Sequence, residues 1–276
     1  MKAIKPLLFL CVALSLAACK KNVDMTLIQK TVLENADVRQ IEVGDAWQVT
    51  ITADSSSFVE LEYSAYLEPY LKAKMEGNKL EIGFTGNVYP AINSVYRATL
   101  HVKQLEKVDA EDASQVQCRG SFSGQRFEIN LAEAAQCTGF AFSGESCEIN
   151  LKDASLLSGF QFVGNACKAT LEDASQFNGQ IQAEGRLEVE LKDASRFVNK
   201  GGTTDQVIIK LLYSSMLNMA ETEVRRMNVD LSDGSEATVR VVELLEGSLK
   251  AASTLYYKGH PQIQVDCSED SELIPF

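Results

Sequence analysis

A leucine returns every twenty residues along the middle of the chain, at Leu131, Leu151, Leu171, Leu191, Leu211 and Leu231. Most are followed by one short phrase: Leu151-Lys-Asp-Ala-Ser155, Leu171-Glu-Asp-Ala-Ser175, Leu191-Lys-Asp-Ala-Ser195, and a weaker echo in Leu231-Ser-Asp-Gly-Ser235. A fixed period of this length marks stacked units, each of which buries its apolar face only against its neighbours. Within a unit the apolar positions fall two apart. Phe127, Cys147, Cys167 and Leu187 form one column, Ile129, Ile149, Ala169 and Val189 the next, and polar residues such as Glu128, Glu148 and Glu188 lie between. Period two is the pattern of a strand with one buried face.

Two more apolar clusters occur per unit, one after the Ser (Cys137, Leu157, Phe177, Phe197, Leu217) and one aromatic (Phe140/Phe142, Phe160/Phe162). Three short strands per turn describe an all-β chain. The expected fold is a parallel β-helix with coils of about twenty residues, each lying about 4.8 Å above the last. Counting a longer first unit from Asp109 to Asn130, seven units stack to roughly 30 Å on that spacing. The Asp-Ala-Ser phrase is expected to be a corner. Unbroken alternation from Leu151 would bury Asp153 above Asp173, at prohibitive cost, so the chain must bend and turn the carboxylates outward. Asp and Ser suit such a bend because their side chains bond nearby backbone N–H groups, and the small Ala lets adjacent coils close up.

Residues 1–18 read as an export signal with a basic start at Lys2 and Lys5 and an apolar stretch from Leu7 to Leu16, too short for a permanent bilayer span. The phrase Leu16-Ala17-Ala18-Cys19 resembles the lipobox of bacterial lipoproteins, which makes Cys19 the expected lipidation site and the lipid the membrane partner. Residues 19–37 then form a tether. Residues 38–108 alternate without the twenty-residue period and are expected to cap the β-helix of residues 109–265, since an uncapped end exposes an aggregation-prone edge. Trp47 lies on an alternating run and is assigned to the core. The repeat period is lost after Ala237, and residues 266–276 read as a loose acidic tail.

The run from Val38 to Thr52, Met75-Glu-Gly-Asn-Lys-Leu-Glu-Ile82, the Asp-Ala-Ser corners and Tyr257-Lys-Gly-His-Pro261 together resemble the head GIN domain family. Its members are autotransporter-adhesin-like proteins, common as lipoproteins in Bacteroidetes. The resemblance spans Val38 to Val265 and implies a right-handed β-helix with an adhesive role. It supplies no catalytic residues. The usual corner of that family is closer to Gly-Ala-Ser, where this chain has Asp or Glu. Lys20-Lys21-Asn22 also departs from the acidic run of surface-exported lipoproteins. Both the periplasmic face of the outer membrane and the cell surface remain open as locations.

The formal net charge is −12, and removal of Lys2 and Lys5 with the signal leaves 24 basic against 38 acidic residues, or −14. Such a chain repels phosphate backbones, which excludes nucleic acid as a partner. Cys147 and Cys167, one period apart, and Cys137 read as apolar fillers, because in-register parallel strands seldom meet disulfide geometry. With only His101 and His260 present, and neither in the repeats, no zinc site, cofactor site or Ser-His-Asp arrangement is indicated. The sharpest chemical feature is the acidic column Glu133, Asp153, Asp173 and Asp193. Its members either cap turns, offset by Lys152 and Lys192, or hold a cation, or cleave a polysaccharide. The function expected is a membrane-tethered, non-enzymatic envelope protein presenting a β-helix face for binding or adhesion to an unidentified glycan or protein. A glycan-binding or polysaccharide-degrading β-helix and a structural envelope scaffold are the alternatives.

Overall fold

The structure is a computed structural model that describes residues 23–276; Cys19 and the export signal lie outside the described residues. The chain is almost entirely strand and winds into a β-solenoid of about eight turns. The leucine column stacks as its spacing requires. Leu131 pairs with Leu151, Leu151 with Leu171, Leu171 with Leu191, Leu191 with Leu211, and Leu211 with Leu231, all in parallel register. The repeats comprise β8 (Lys107–Ala110), β9 (Gln115–Arg119), β10 (Ser121–Leu131), β11 (Gln136–Thr138), β12 (Ala141–Leu151), β13 (Leu156–Leu171), β14 (Gln176–Leu191), β15 (Arg196–Asn199), β16 (Thr203–Leu211) and β17 (Met216–Leu231).

Each turn has three faces. In β13 the first runs from Leu156 to Ser158, the second from Phe160 to Gly164 and the third from Ala166 to Leu171, with the pairing register shifting at the two bends between them. Gly164 sits where a Cβ would lie 2.0 Å from the Gly144 carbonyl oxygen of the coil below, so any side chain there would force the coils apart. Inside, rings stack along the axis: Phe127 on Phe142 at 5.1 Å, and Phe177 on Phe197 at 4.5 Å. Cys137, Cys147 and Cys167 fill the same core as free thiols. Burial raises the Cys137 and Cys147 thiols well above their usual range and pushes Cys118 up to about 12.

The N-terminal segment contributes rungs, and in an order that differs from the chain. It contains β2 (Gln40–Val43), β3 (Gln48–Ala53), β4 (Phe58–Ser64), a 3₁₀ turn (Ala65–Tyr70), β5 (Leu71–Glu76), β6 (Lys79–Phe84) and β7 (Tyr96–Val102). Strand β2 lies parallel between β6 and β8, and β3 between β7 and β9. The rung made first in sequence is thus enclosed by two later ones. Antiparallel strands then close that end, with β4 on β7 and β1 (Leu27–Val32) on β4. Part of the expected tether is therefore a paired edge strand. Trp47 is fully buried there, 5.6 Å from the Phe84 ring, which agrees with its assignment to the core.

The C-terminal expectation needs correction as well. The period does not vanish beyond Leu231. It shortens to eighteen, with Leu231 paired to Leu249 and Leu249 to Cys267. Strands β18 (Glu236–Leu249), β19 (Thr254–Lys258), β20 (Gln262–Cys267) and β21 (Glu272–Pro275) continue the stack, so residues 266–276 form most of a last rung rather than a loose tail. Asp266, Glu269, Asp270 and Glu272 line this final turn. Charges along an open edge discourage pairing with a further strand.

Candidate functional site

The Asp-Ala-Ser corner is a turn with two consecutive residues in the left-handed region: Asp153 at φ 55° and Ala154 at 60°, Asp173 at 54° and Ala174 at 61°, Asp193 at 53° and Ala194 at 60°. The carbonyl before each pair accepts from the N–H after it, as Lys152 does from Ser155 at 3.3 Å. Positive φ at both central residues is the type I′ pattern. This explains the Asp, which tolerates the left-handed region better than most residues, and it explains the Gly preferred at this position in the related corner. Each corner is also tied to the next, since the Ala154 N–H donates to the Asp173 carbonyl and the Ala174 N–H to the Asp193 carbonyl, both at 2.8 Å.

The carboxylates of Glu133, Asp153, Asp173 and Asp193 face solvent, as the bend requires. The serines behave otherwise than expected. Ser155, Ser175 and Ser195 are fully buried. Ser155 and Ser175 donate to the carbonyls of Leu131 and Glu172 instead of accepting from backbone N–H groups. Nor do the lysines offset the acids, because Lys192 pairs with Glu172 at 3.0 Å and Glu190 at 3.2 Å on the third face. The column extends two members further, to Asp112 and Asp45, each followed by an Ala in the same left-handed turn. A hydrogen bond to Asp112, together with its charge, raises the Glu133 carboxyl. Among the described residues no three His, Cys, Asp or Glu side chains converge to hold a metal.

Beside the column, the third face carries an open groove of 500 Å³ between Asp109, Glu111, Asn130, Asn150 and Glu172. Its polar atoms are largely spent on one another: Asn150 Nδ2 donates to Asn130 Oδ1 at 2.9 Å, and Asn130 Nδ2 to Asp109 Oδ1 at 2.6 Å. This ladder braces the coils. On the cap, His101 Nδ1 lies 2.9 Å from Asp54 Oδ2, and its ring stacks on Phe58. That hydrogen bond holds the Asp54 carboxyl well below its usual range. The nearby Ser56 hydroxyl bonds Asp54 rather than the imidazole. The three therefore do not form the Ser-His-Asp order of a hydrolytic triad.

The first face has a different chemistry. Two columns of its outward residues run across successive coils. One runs Gln48, Gln115, Gln136, Leu156, Gln176, Arg196, and the other Thr50, Gln117, Thr138, Ser158, Asn178, Val198. From Gln48 to Asn178 there is no charged side chain in either column; Arg97 beside Gln48 and Arg196 beside Gln176 bound the first column at its two ends. In an acidic protein these two columns form a strip of mostly amides and hydroxyls, broken by Leu156 and flanked by Arg119, whose guanidinium donates to Gln117 Oε1 at 3.5 Å. The sequence carries its signal only as residue types without charge, Gln136/Gln176 and Thr138/Ser158/Asn178 keeping the same twenty-residue register as the leucines.

The fold is shared with solved structures of low sequence identity. A "putative adhesin" from Parabacteroides merdae ATCC 43184 superposes with a TM-score of 0.68 at 13% identity, covering 92% of this chain and 98% of the other. A "putative lipid binding protein" from Parabacteroides distasonis ATCC 8503 gives 0.65 at 17% identity, covering 91% and 96%. A "putative adhesin" from the same strain gives 0.63 at 15%, covering 92% and 98%. No curated protein matches the chain. Residues 37–261 match the family described as "Putative auto-transporter adhesin, head GIN domain", and the chain belongs to that family.

Proposed function

We propose that this protein is a non-enzymatic envelope lipoprotein, tethered through an acylated Cys19, whose first face binds a neutral, hydroxyl-rich glycan. The observation that carries the reading is the pair of uncharged columns from Gln48 to Asn178, all amides and hydroxyls but for Leu156, set in a chain of net charge −12. Amides and hydroxyls both donate and accept, so they match sugar hydroxyls without the desolvation cost of a carboxylate. The family's adhesin description supports a binding role. The acidic corners support none in catalysis, since they belong to the repeat itself and the carboxylates project into water along one edge.

Two experiments test the two halves. Cys19→Ser should release the protein from the membrane fraction and abolish labelling by a fatty-acid probe; retention without label would reject the tether. A glycan array probed with the form lacking residues 1–19 should retain neutral glycans. Gln117→Glu with Thr138→Glu should abolish retention, while Asp153→Asn with Asp173→Asn should leave it intact. Loss in the corner variant alone would move the site to the acidic column.

A further inference from the structure

The loop between β6 and β7 is the least protein-like surface of the molecule. From Ile82 to Tyr96 the chain carries no charged residue, and at its tip Tyr89 and Ile92 are each 90% exposed, the highest exposure of any large apolar side chain among the described residues. The tip is nevertheless held in place. The Tyr66 hydroxyl accepts from the Ala91 N–H at 2.7 Å and lies 2.5 Å from Ser94 Oγ, and Ser94 Oγ donates back to the Ala91 carbonyl at 2.6 Å. At the loop base the Thr85 N–H donates to the carbonyl of Tyr70, itself a half-exposed aromatic. The loop is held by its own hydrogen bonds and uncharged, and the side chains it exposes most at its tip are apolar.

The same tyrosine fixes where the chain begins. The Tyr66 backbone N–H donates to the Asp24 carbonyl at 3.1 Å, and the neighbouring Ala65 N–H to the Thr26 carbonyl at 2.8 Å. One residue thus grips the start of the folded chain with its backbone and the apolar loop with its hydroxyl. Only Lys20, Lys21, Asn22 and Val23 separate Cys19 from Asp24, a reach of at most about 18 Å when fully extended. Two of these four are basic, in a chain that is otherwise acidic. Tyrosine and aliphatic side chains favour the boundary between headgroups and acyl chains, and lysines favour an anionic lipid surface.

We infer that the Tyr89–Ile92 loop is a second membrane contact, which inserts between lipid headgroups beside the acyl anchor and stands the solenoid away from the bilayer. The inference rests on the tethered reading of Cys19. The lipid surface is the occupant because the route from Cys19 into the fold, through Asp24, leads to within one side chain of this loop. Two attachment points also fix an orientation that one flexible lipid would leave free.

The test uses the chain from Cys19 onward, which carries every described residue, with Cys267→Ser. Cys19 then remains to couple to a maleimide-headgroup lipid in phosphatidylcholine vesicles, the other cysteines being buried. This chemical tether works whether or not cells acylate Cys19, so a failed tether and a failed loop contact are read separately. Tyr89→Trp adds an emission to that of Trp47, whose full burial makes it an internal reference. Brominated acyl chains should quench and blue-shift the added emission, and should leave the emission added by Glu272→Trp at the opposite end unchanged. Ile92→Trp should repeat the result if Tyr89→Trp folds poorly. Absence of quenching at both loop positions while the protein stays on the vesicles would overturn the inference. Equal quenching at the loop and at Glu272→Trp would do the same, since the solenoid would then lie flat.

Discussion

The side chain of Asn199 bonds both backbone groups of Ile181, accepting its N–H at Oδ1 (2.6 Å) and donating from Nδ2 to its carbonyl (3.1 Å). The amide stands in for a missing piece of strand. Strand β15 ends at Asn199, the chain loops through Gly201 and Gly202 at positive φ, and β16 resumes at Thr203. Thr222 Oγ1 of the next coil, 2.9 Å from Nδ2, completes the plug. Replacing Asn199 by Leu keeps the volume and strands two buried backbone groups, each costing roughly 1–3 kcal/mol. A loss of about 2–5 kcal/mol is expected by urea unfolding, with Thr222→Val costing less.

The corners store strain that can be removed. An L-residue in the left-handed region costs roughly 1–2 kcal/mol, while Gly in the unfolded chain gives part of that back as entropy. Ala174→Gly should therefore stabilise by up to about 1 kcal/mol, as should Ala154→Gly. The chain already uses Gly234 at the equivalent place. Asp173→Val, with a branched Cβ in the same region, should destabilise. Asp112→Asn should raise the melting temperature at neutral pH, because the Glu133 carboxyl is raised in the folded state. That gain should fade as acid protonates the pair. Added calcium should shift no melting temperature in the wild type.

Acid should act on the cap through Glu81. Lys72 and Lys79 lie 2.7 Å and 3.0 Å from its two oxygens and depress its carboxyl to about 2. A depressed carboxyl stabilises the fold above its ordinary value of 4.5 and loses that contribution as pH falls toward the folded value. Melting temperatures measured from pH 5 down to about 2.5 should fall more steeply for the wild type than for Glu81→Gln.

The repeats were legible because a twenty-residue register repeats the same inward column, so each leucine announces its neighbour. The corner was legible as a bend but not as a left-handed turn, since Asp serves equally in Asx turns and at positive φ. The eighteen-residue rungs after Leu231 are not legible because Gly247 stands opposite Val229, and Cys267 opposite Leu249, where Val or Leu would mark the columns. Strand β1 has only its partner β4 to define it and carries a mixed polar pattern. The uncharged columns of the first face were present in plain residue types, but uncharged amides suggest no chemistry until their columns are seen side by side.

The enclosed first rung governs the order in which the molecule can be built. Asp45 accepts from the Phe84 N–H 39 residues ahead and donates its own N–H to Asp112, 67 residues ahead. A chain emerging amino end first cannot add turns one by one from its start, as the later repeats can with twenty-residue steps. The opening rung must wait until both flanks have arrived, and closing those long loops comes before any propagation. The clasp of residues 40–119 therefore closes only once β8 and β9 are made, and a chain that stops before residue 107 leaves one side of that rung bare.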